Sequence, residues 1–155
     1  MYSRIRISLL LFILICFNLL NACGYEEITV EGFGFERFGI SMPENGTVIY
    51  DSFFNMGFDF RDYGVIAYDS NEELRKLPWT ETDSWDIAQF NAQIDRHNRS
   101  LQVHGEKKIP TEHLPNGTGL RKMYLDRVGK EISTMKCYLL FDSDRSLVYV
   151  YMIKT

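Results

Sequence analysis

Three histidines are the side chains best suited to bind a metal ion or to transfer protons near neutral pH. They are His97, His104 and His113. Their separations of seven and nine residues match no metal-ligand motif with a geometric basis. The sequence therefore predicts histidines that are solvated or hydrogen-bonded, and it predicts no metal site and no cofactor.

Three aspartates lie close enough in sequence to act together as carboxylates in acid–base catalysis. They are Asp59, Asp62 and Asp69, and the register of a strand and its turn accounts for them without a special role. No G-x-S-x-G elbow occurs, and no serine has a patterned histidine and aspartate around it. The sequence therefore predicts no catalytic residue, and an enzyme using dispersed Asp and His residues is kept only as an alternative.

The run DSD at 142–144 is similar to the start of a calcium-binding loop. Such a loop needs glycine at its sixth position and glutamate at its twelfth, where this chain has Leu147 and Ile153. The run is therefore predicted to be the turn of a hairpin.

The N-terminal segment has the order of an export signal. Its first eight residues, MYSRIRIS, carry two arginines and no acid, and the almost purely apolar run Leu9–Leu20 follows. About a dozen apolar residues are too few for a membrane-spanning helix, which needs roughly 20. The run ends in Leu20-Asn21-Ala22-Cys23, which resembles the lipobox of bacterial lipoprotein precursors.

The lipobox resemblance implies that Cys23 receives a diacylglyceryl group and becomes the first residue of the mature chain. Residues 1–22 would then be the removed signal peptide, and residues 23–27 the lipidated N-terminus with a short tether. Two or three acyl chains make a stable membrane anchor. Gly24 rather than Asp follows the cysteine, which in Gram-negative lipoproteins implies sorting to the outer membrane, facing the periplasm.

The other cysteines agree with this interpretation. Cys16 would leave with the signal peptide, so Cys137 would be the one unmodified thiol, and no disulfide could form within one mature chain. Because Cys137 lies in an apolar run, we expect a buried and unreactive thiol.

The alternative interpretation is that the chain is a secreted eukaryotic protein. Asn45-Gly-Thr, Asn98-Arg-Ser and Asn116-Gly-Thr each match the glycosylation pattern. In a bacterial lipoprotein they would instead be turns and a helix end, since Asn-Gly is itself a turn dipeptide.

Charge disfavours nucleic acid as a partner. Loss of Arg4 and Arg6 lowers the basic residues from 17 to 15 against 21 acidic residues, so the net formal charge goes from −4 to −6. An acidic body is repelled by nucleic acid and by anionic lipid. We therefore expect contact with the membrane through the lipid alone.

Residues 28–155 are predicted to form one small α+β domain that is mainly antiparallel sheet. Strand composition occurs at Phe33–Ile40 and, after the turn residues PENGT, at Val48–Tyr50. Two further strands are expected within Phe53–Tyr68, around a turn at Arg61-Asp62.

Two helices are predicted in the middle of the chain. The run SNEELRKL at 70–77 has a cap, early acids and late bases, and Pro78 ends it. A second helix begins at Thr82 or Asp83 and is expected to pack through Trp85. Residues 105–119 should form an irregular loop, and LRKMYL at 120–125 suits either a strand or a helix.

The C-terminal runs MKCYLLF at 135–141 and LVYVYMI at 147–153 predict a β-hairpin around DSDRS. Both strands are apolar on both faces, so they should lie centrally and be covered on each side. Period-two alternation sends Cys137, Leu139 and Phe141 to one face and Tyr138 and Leu140 to the other.

The aromatic content suggests a protein-binding function, since tyrosine is favoured at interfaces. The hypothetical binding face consists of Tyr63, Tyr68, Tyr138, Tyr149 and Tyr151. The leading hypothesis is a membrane-anchored lipoprotein whose domain binds another envelope or extracellular protein, an immunity-type lipoprotein being one version. The alternatives are an envelope-associated enzyme and a structural envelope lipoprotein.

Overall fold

A computed structural model describes residues 35–56, 59–128 and 134–154. Six strands within these ranges form one antiparallel sheet in the order β1-β2-β6-β5-β4-β3. The strands are β1 (Gly46–Met56), β2 (Asp59–Tyr68), β3 (Thr80–Glu81), β4 (Leu120–Val128), β5 (Thr134–Asp142) and β6 (Leu147–Lys154). The helices are α1 (Glu72–Arg75) and α2 (Ser84–Val103), and short 3₁₀ turns occur at Phe35–Phe38 and Thr111–His113. The α+β prediction therefore agrees with the described chain, which is mostly sheet with one main helix.

Several sequence-based predictions fall on residues outside these ranges. They are the signal peptide at 1–22, the lipidation site Cys23 and the tether at 23–27.

The predicted C-terminal hairpin is confirmed and lies at the centre of the sheet. β5 and β6 pair in antiparallel register, with Leu139 opposite Val150, and each has a further strand on its other side. Apolar residues are buried on both faces of this pair, because each face of the sheet is covered by another layer.

The two core layers separate as period-two alternation predicts. One layer packs beneath α2, and its fully or nearly buried members include Phe90, Ile94, Tyr63, Val65, Leu140, Tyr149 and Tyr151. The opposite layer is covered by the segments around Phe35 and Leu74, and its members include Cys137, Leu139, Phe141, Val148, Val150 and Met152.

Helix α2 begins where the sequence predicts. Asp83 is its N-cap: its side chain accepts a hydrogen bond from the Asp86 main-chain N–H at 2.8 Å, and the Asp86 carboxylate accepts one from the Asp83 N–H at 2.9 Å. This reciprocal capping box satisfies main-chain donors that a helix N-terminus otherwise leaves unpaired.

The prediction that α2 packs through Trp85 is wrong. Its buried residues are Phe90, Ile94, His97 and Leu101, whereas Trp85 is 66 % exposed. The helical repeat of 3.6 residues places Trp85 on a different side of the helix from this buried face.

The predicted strand at 33–40 is also wrong for its described part. Phe35–Phe38 forms a 3₁₀ turn, and the Ile40 N–H donates to the Phe35 carbonyl at 3.2 Å. Gly39 has φ +73°, which lies in the left-handed backbone region that glycine adopts without steric cost. The chain reverses here, so Phe35 packs into the core.

No turn occurs at Arg61-Asp62, contrary to the prediction. Both residues lie inside β2, where Arg61 pairs with Phe54 and Asp62 with Phe53 of β1. The two strands pair over almost their whole length as one long hairpin, because the aromatic and β-branched residues on either side of this position suit continuous pairing.

The first predicted helix is reduced to the four residues of α1. Leu74 is buried, and the Trp79 indole donates to its carbonyl at 2.6 Å, so the chain turns immediately around Pro78. The ambiguous run at 120–125 is a strand, since it lies within β4.

The predicted loop at 105–119 is irregular except for its one 3₁₀ turn. It is fixed to the domain by two long-range hydrogen bonds. The Ile109 N–H donates to the Asn98 side chain at 2.8 Å, and the Tyr63 hydroxyl donates to the His113 carbonyl at 2.5 Å. The loop therefore covers the edge of the α2 layer.

Candidate functional site

The five tyrosines of the predicted binding face do not form a surface. Tyr63, Tyr149 and Tyr151 have no exposed area, and Tyr68 is 7 % exposed and lies in the opposite core layer. Tyr138 alone among the five is partly exposed. The hypothesis placed these rings at the surface, but the sheet is covered on both faces and alternation therefore buries them.

Two of the buried tyrosine hydroxyl groups form hydrogen bonds within the domain. Tyr63 bonds to the His113 carbonyl, and Tyr149 accepts a hydrogen bond from Arg145 Nη2 at 2.5 Å. Burial raises the pKa of Tyr63, and it raises the pKa of Tyr68 to about 12. These phenols stay protonated at physiological pH.

A polar cluster lies where α2 crosses β1 and β2. Ser52 Oγ is 3.1 Å from His97 Nε2, and Arg61 Nη1 donates to Ser100 Oγ at 3.1 Å. His97 has no exposed area, and its ring packs edge-on against Tyr151, with 6.2 Å between centroids. The residues come from different elements, so their spacing in sequence carries no sign of the cluster.

The Ser52–His97 pair has the spacing of a nucleophile and its base, but its electrostatics oppose that role. Burial and then the positive charge of Arg61 lower the pKa of His97 to about 4, against a smaller opposing effect of hydrogen bonding to the Ser52 main chain. A histidine with so low a pKa accepts a proton poorly at neutral pH.

The other ring nitrogen of this histidine supports the same conclusion. In serine hydrolases that position is held by a carboxylate. Within the described ranges His97 Nδ1 has no hydrogen-bond partner. We conclude that His97 is a neutral structural residue that links α2 to β1.

The two candidate catalytic aspartates whose side chains are described, Asp62 and Asp69, do not converge. Asp62 is fully buried in the layer opposite α2, and Asp69 is exposed. The side chain of Asp59 is not among those that the structure describes.

Burial, and after it the charge of Asp62, raises the pKa of the Cys137 thiol. Cys137 is buried, as its apolar run predicts.

The other two histidines, His104 and His113, each pack against a different aromatic ring. His104 packs against Phe54 with 5.1 Å between ring centroids, and His113 stacks on Tyr50 at 4.5 Å. Among the residues that the structure describes, no three His, Cys, Asp or Glu side chains lie close enough to hold a metal ion.

The run at 142–144 forms the predicted hairpin turn. Asp142 is 1 % exposed, and its Oδ1 accepts hydrogen bonds from the main-chain N–H groups of Asp144 and Arg145 at 3.1 and 3.2 Å. Its Oδ2 accepts a bond from Arg145 Nε at 2.7 Å. Both carboxylate oxygens of Asp142 are therefore used in hydrogen bonds within the hairpin turn.

An aromatic cleft of about 310 Å³ opens between the first half of α2 and the strands β4 and β5. Trp85 is 66 % exposed and Tyr124 48 % exposed, which places both among the most exposed large hydrophobic side chains of the described chain. The Tyr124 and Tyr138 rings lie 4.9 Å apart. The walls of the cleft include Trp85, Asp86, Gln89, Phe90, Gln93, Lys122, Tyr124, Tyr138 and Leu140.

The cleft lies between one side of α2 and the strands at the edge of the sheet. Trp85, Gln89 and Gln93 follow an i, i+4 spacing along α2 and so form one wall. β3 has only two residues and pairs with Lys122 and Arg121 alone, so β4 beyond them has no further strand on this side within the described chain.

An ion pair crosses the cleft. Lys122 Nζ on β4 lies 2.5 Å from Asp86 Oδ2 on α2. The hydrogen bond from Lys122, followed by the one from the Asp83 main chain, lowers the pKa of Asp86. Asp86 therefore stays ionised at neutral pH, and its charge balances that of Lys122.

Exposed tryptophan and tyrosine rings are the side chains most often found at the energetic centre of a protein–protein contact. The volume of the cleft is near the lower limit for a small-molecule site, so it suits one inserted side chain. Sequence reasoning missed this site because Trp85 fitted an apolar helix face and was assigned to the core.

The chain matches no protein-family model, and no curated protein or solved structure is significantly similar to it. The described residues include no helix that is both long and apolar enough to cross a membrane.

Proposed function

We propose that this protein is a lipid-anchored bacterial envelope protein whose folded domain binds another protein through the aromatic cleft. The anchor is Cys23, within Leu20-Asn21-Ala22-Cys23. The binding surface is centred on Trp85 and Tyr124. An immunity-type protein that neutralises a toxin at the membrane is one version of this function.

The observation that carries the binding function is the exposure of Trp85. Leaving a large aromatic side chain 66 % exposed forgoes the hydrophobic stabilisation that burial would provide. Tyr124, at 48 % exposure, faces the same cleft. Two such rings beside one concave site favour an interaction surface over a chance exposure.

The enzyme alternative has less support. Its strongest candidate pair is Ser52 and His97, which are 3.1 Å apart, and the low pKa of His97 makes it a poor base. No metal-ligand cluster within the described ranges supplies another mechanism.

Site-specific photocrosslinking of the full-length protein in its membrane tests the binding function. A photoreactive amino acid at position 85 or 124 should crosslink to one defined protein, whereas the same group at Val103 should not. Val103 is the matched control because it is 81 % exposed at the far end of the same helix.

The crosslinked protein is then identified, purified and titrated against the unmodified chain. Trp85→Ala should weaken this reconstituted binding by tenfold or more, about 1.4 kcal/mol, and Val103→Ala should leave it unchanged. Equal crosslinking from positions 85 and 103, or unchanged affinity of the Trp85 variant, would contradict the proposal.

The anchor is tested separately. Cys23→Ala should abolish incorporation of labelled fatty acid and move the protein out of the detergent-rich phase, because the thiol is the acylated atom in the proposal. Unchanged partitioning of the variant would contradict the lipid anchor without bearing on the cleft.

A further inference from the structure

We propose that the aromatic cleft accepts an arginine side chain of the partner protein. This inference rests on the proposed protein-binding function and adds the chemistry of the group that is bound. It follows from three properties of the cleft, namely its π faces, its hydrogen-bond acceptors and its balance of charge.

The π faces come from Trp85 on α2, Tyr124 on β4 and Tyr138 on β5. Tyr124 and Tyr138 lie with 4.9 Å between ring centroids and 50° between planes, so they present differently oriented surfaces. A planar guanidinium stacks on such rings and is attracted by their quadrupoles, and among protein cations arginine is the more frequent partner.

The acceptors are the amide oxygens of α2. Gln89 is exposed and Gln93 partly exposed along the helix wall. Gln93 Oε1 is buried and, within the part of the chain that is described, has no hydrogen-bond partner. Because the terminal torsion of glutamine is broad, a ligand donor can draw this oxygen into a hydrogen bond. A guanidinium supplies five N–H donors and no acceptor.

The charge balance allows a cation to enter. Lys122 is the one cationic side chain among the described residues that line the cleft, and Asp86 neutralises it at 2.5 Å. The whole chain carries a net formal charge of −4. An acidic protein attracts a basic partner at long range, and the cleft then offers the inserted side chain no opposing net charge.

The test uses the full-length protein in detergent micelles and three probes that differ in one group: N-acetyl-arginine amide, its neutral isostere N-acetyl-citrulline amide, and N-acetyl-lysine amide. Binding is followed through the Trp85 indole N–H resonance in a nitrogen–proton correlation spectrum. The arginine probe should shift this resonance saturably, with a dissociation constant on the order of 1 mM.

The citrulline and lysine probes should bind roughly fivefold more weakly or not at all, because the first lacks the charge and the second lacks the planar fork. Tyr124→Leu should weaken the arginine probe by a similar factor. Val103→Ala should have no effect, since Val103 lies outside the cleft.

The inference would be overturned by citrulline binding as tightly as arginine, by the absence of a saturable shift with arginine, or by an unaltered affinity in the Tyr124 variant. A shift of the same resonance by N-acetylglucosamine, with none by arginine, would overturn it in favour of a glycan. If the arginine probe fails while Trp85→Ala still disrupts the crosslinked complex, the inference about arginine is wrong and the protein-binding function stands.

Discussion

Acidification should destabilise this protein through His97, which is buried as a neutral ring. Its pKa is about 4 in the folded protein, against the ordinary histidine value of 6.5 that the unfolded chain retains. Between these values the unfolded chain binds a proton that the folded chain excludes. The free energy of unfolding therefore falls as the pH decreases from 6.5 to 4.

The magnitude follows from the difference of about 2.5 pKa units. At about 1.4 kcal/mol per unit the full loss is about 3 to 4 kcal/mol, most of which has occurred by pH 4.5. Burial of the ring is the main reason that its pKa is lowered, and the charge nearest to it acts in the same direction. Arg61 on β2 repels a second positive charge, and Ser52 on β1, Ser100 on α2 and the Tyr151 ring on β6 supply no negative one.

Urea denaturation at pH 7, 5.5 and 4.5 checks this prediction against His97→Gln. The glutamine variant keeps a group that can bond to Ser52 but cannot titrate. At pH 7 it should be less stable by about 1 kcal/mol, through imperfect hydrogen bonding. On going to pH 4.5 it should lose about 2 to 3 kcal/mol less than the parent, since contributions from carboxylates are common to both.

Two outcomes would refute the reasoning. One is an equal loss of stability in the parent and the variant between pH 7 and 4.5. The other is a nuclear magnetic resonance titration of the His97 ring with its midpoint close to the ordinary histidine pKa of 6.5. Either would mean that the ring is accessible to water or has an acidic neighbour.

Three further substitutions test the packing, each by urea denaturation at pH 7. Leu139→Ala should cost about 2 to 5 kcal/mol, because Leu139 is 1 % exposed on the central strand, and a cost below about 1 kcal/mol would mean that the hairpin is peripheral. Asp83→Ala should cost about 1 kcal/mol through loss of the α2 cap, with Asp83→Asn as the conservative control. Tyr149→Phe should cost about 1 kcal/mol, since its hydroxyl accepts from Arg145; an unaltered midpoint would show that water replaces this bond.

Local patterns in the sequence were sufficient for several elements. The C-terminal hairpin follows from two apolar runs around a turn of aspartates and serine, and its alternation correctly assigns Leu139 and Leu140 to opposite faces. The start of α2 was predicted at Thr82 or Asp83, and Asp83 is its N-cap. Interactions between residues a few positions apart depend on little beyond the chain itself, which is why they are predictable.

The turn predicted at Arg61-Asp62 shows the limit of such patterns. Polar residues within an aromatic run suggested a chain reversal, but the pairing of β2 with both β1 and β6 continues through them. Pairing across a sheet is set by distant strands, so the local preference for a turn was overridden.

Only the tertiary structure decided which aromatic rings meet the solvent. Composition singled out Tyr63, Tyr149 and Tyr151, which lie beneath α2 because the helix and the loop at 105–119 cover that face. Trp85 stays exposed because it lies on a different side of α2 from the residues that pack on the sheet. Whether a ring is core or contact surface depends on what packs over it, and that neighbour is distant in sequence. The sequence by itself therefore determined the central strands and the helix, while the position of α2 on the sheet determined the cleft.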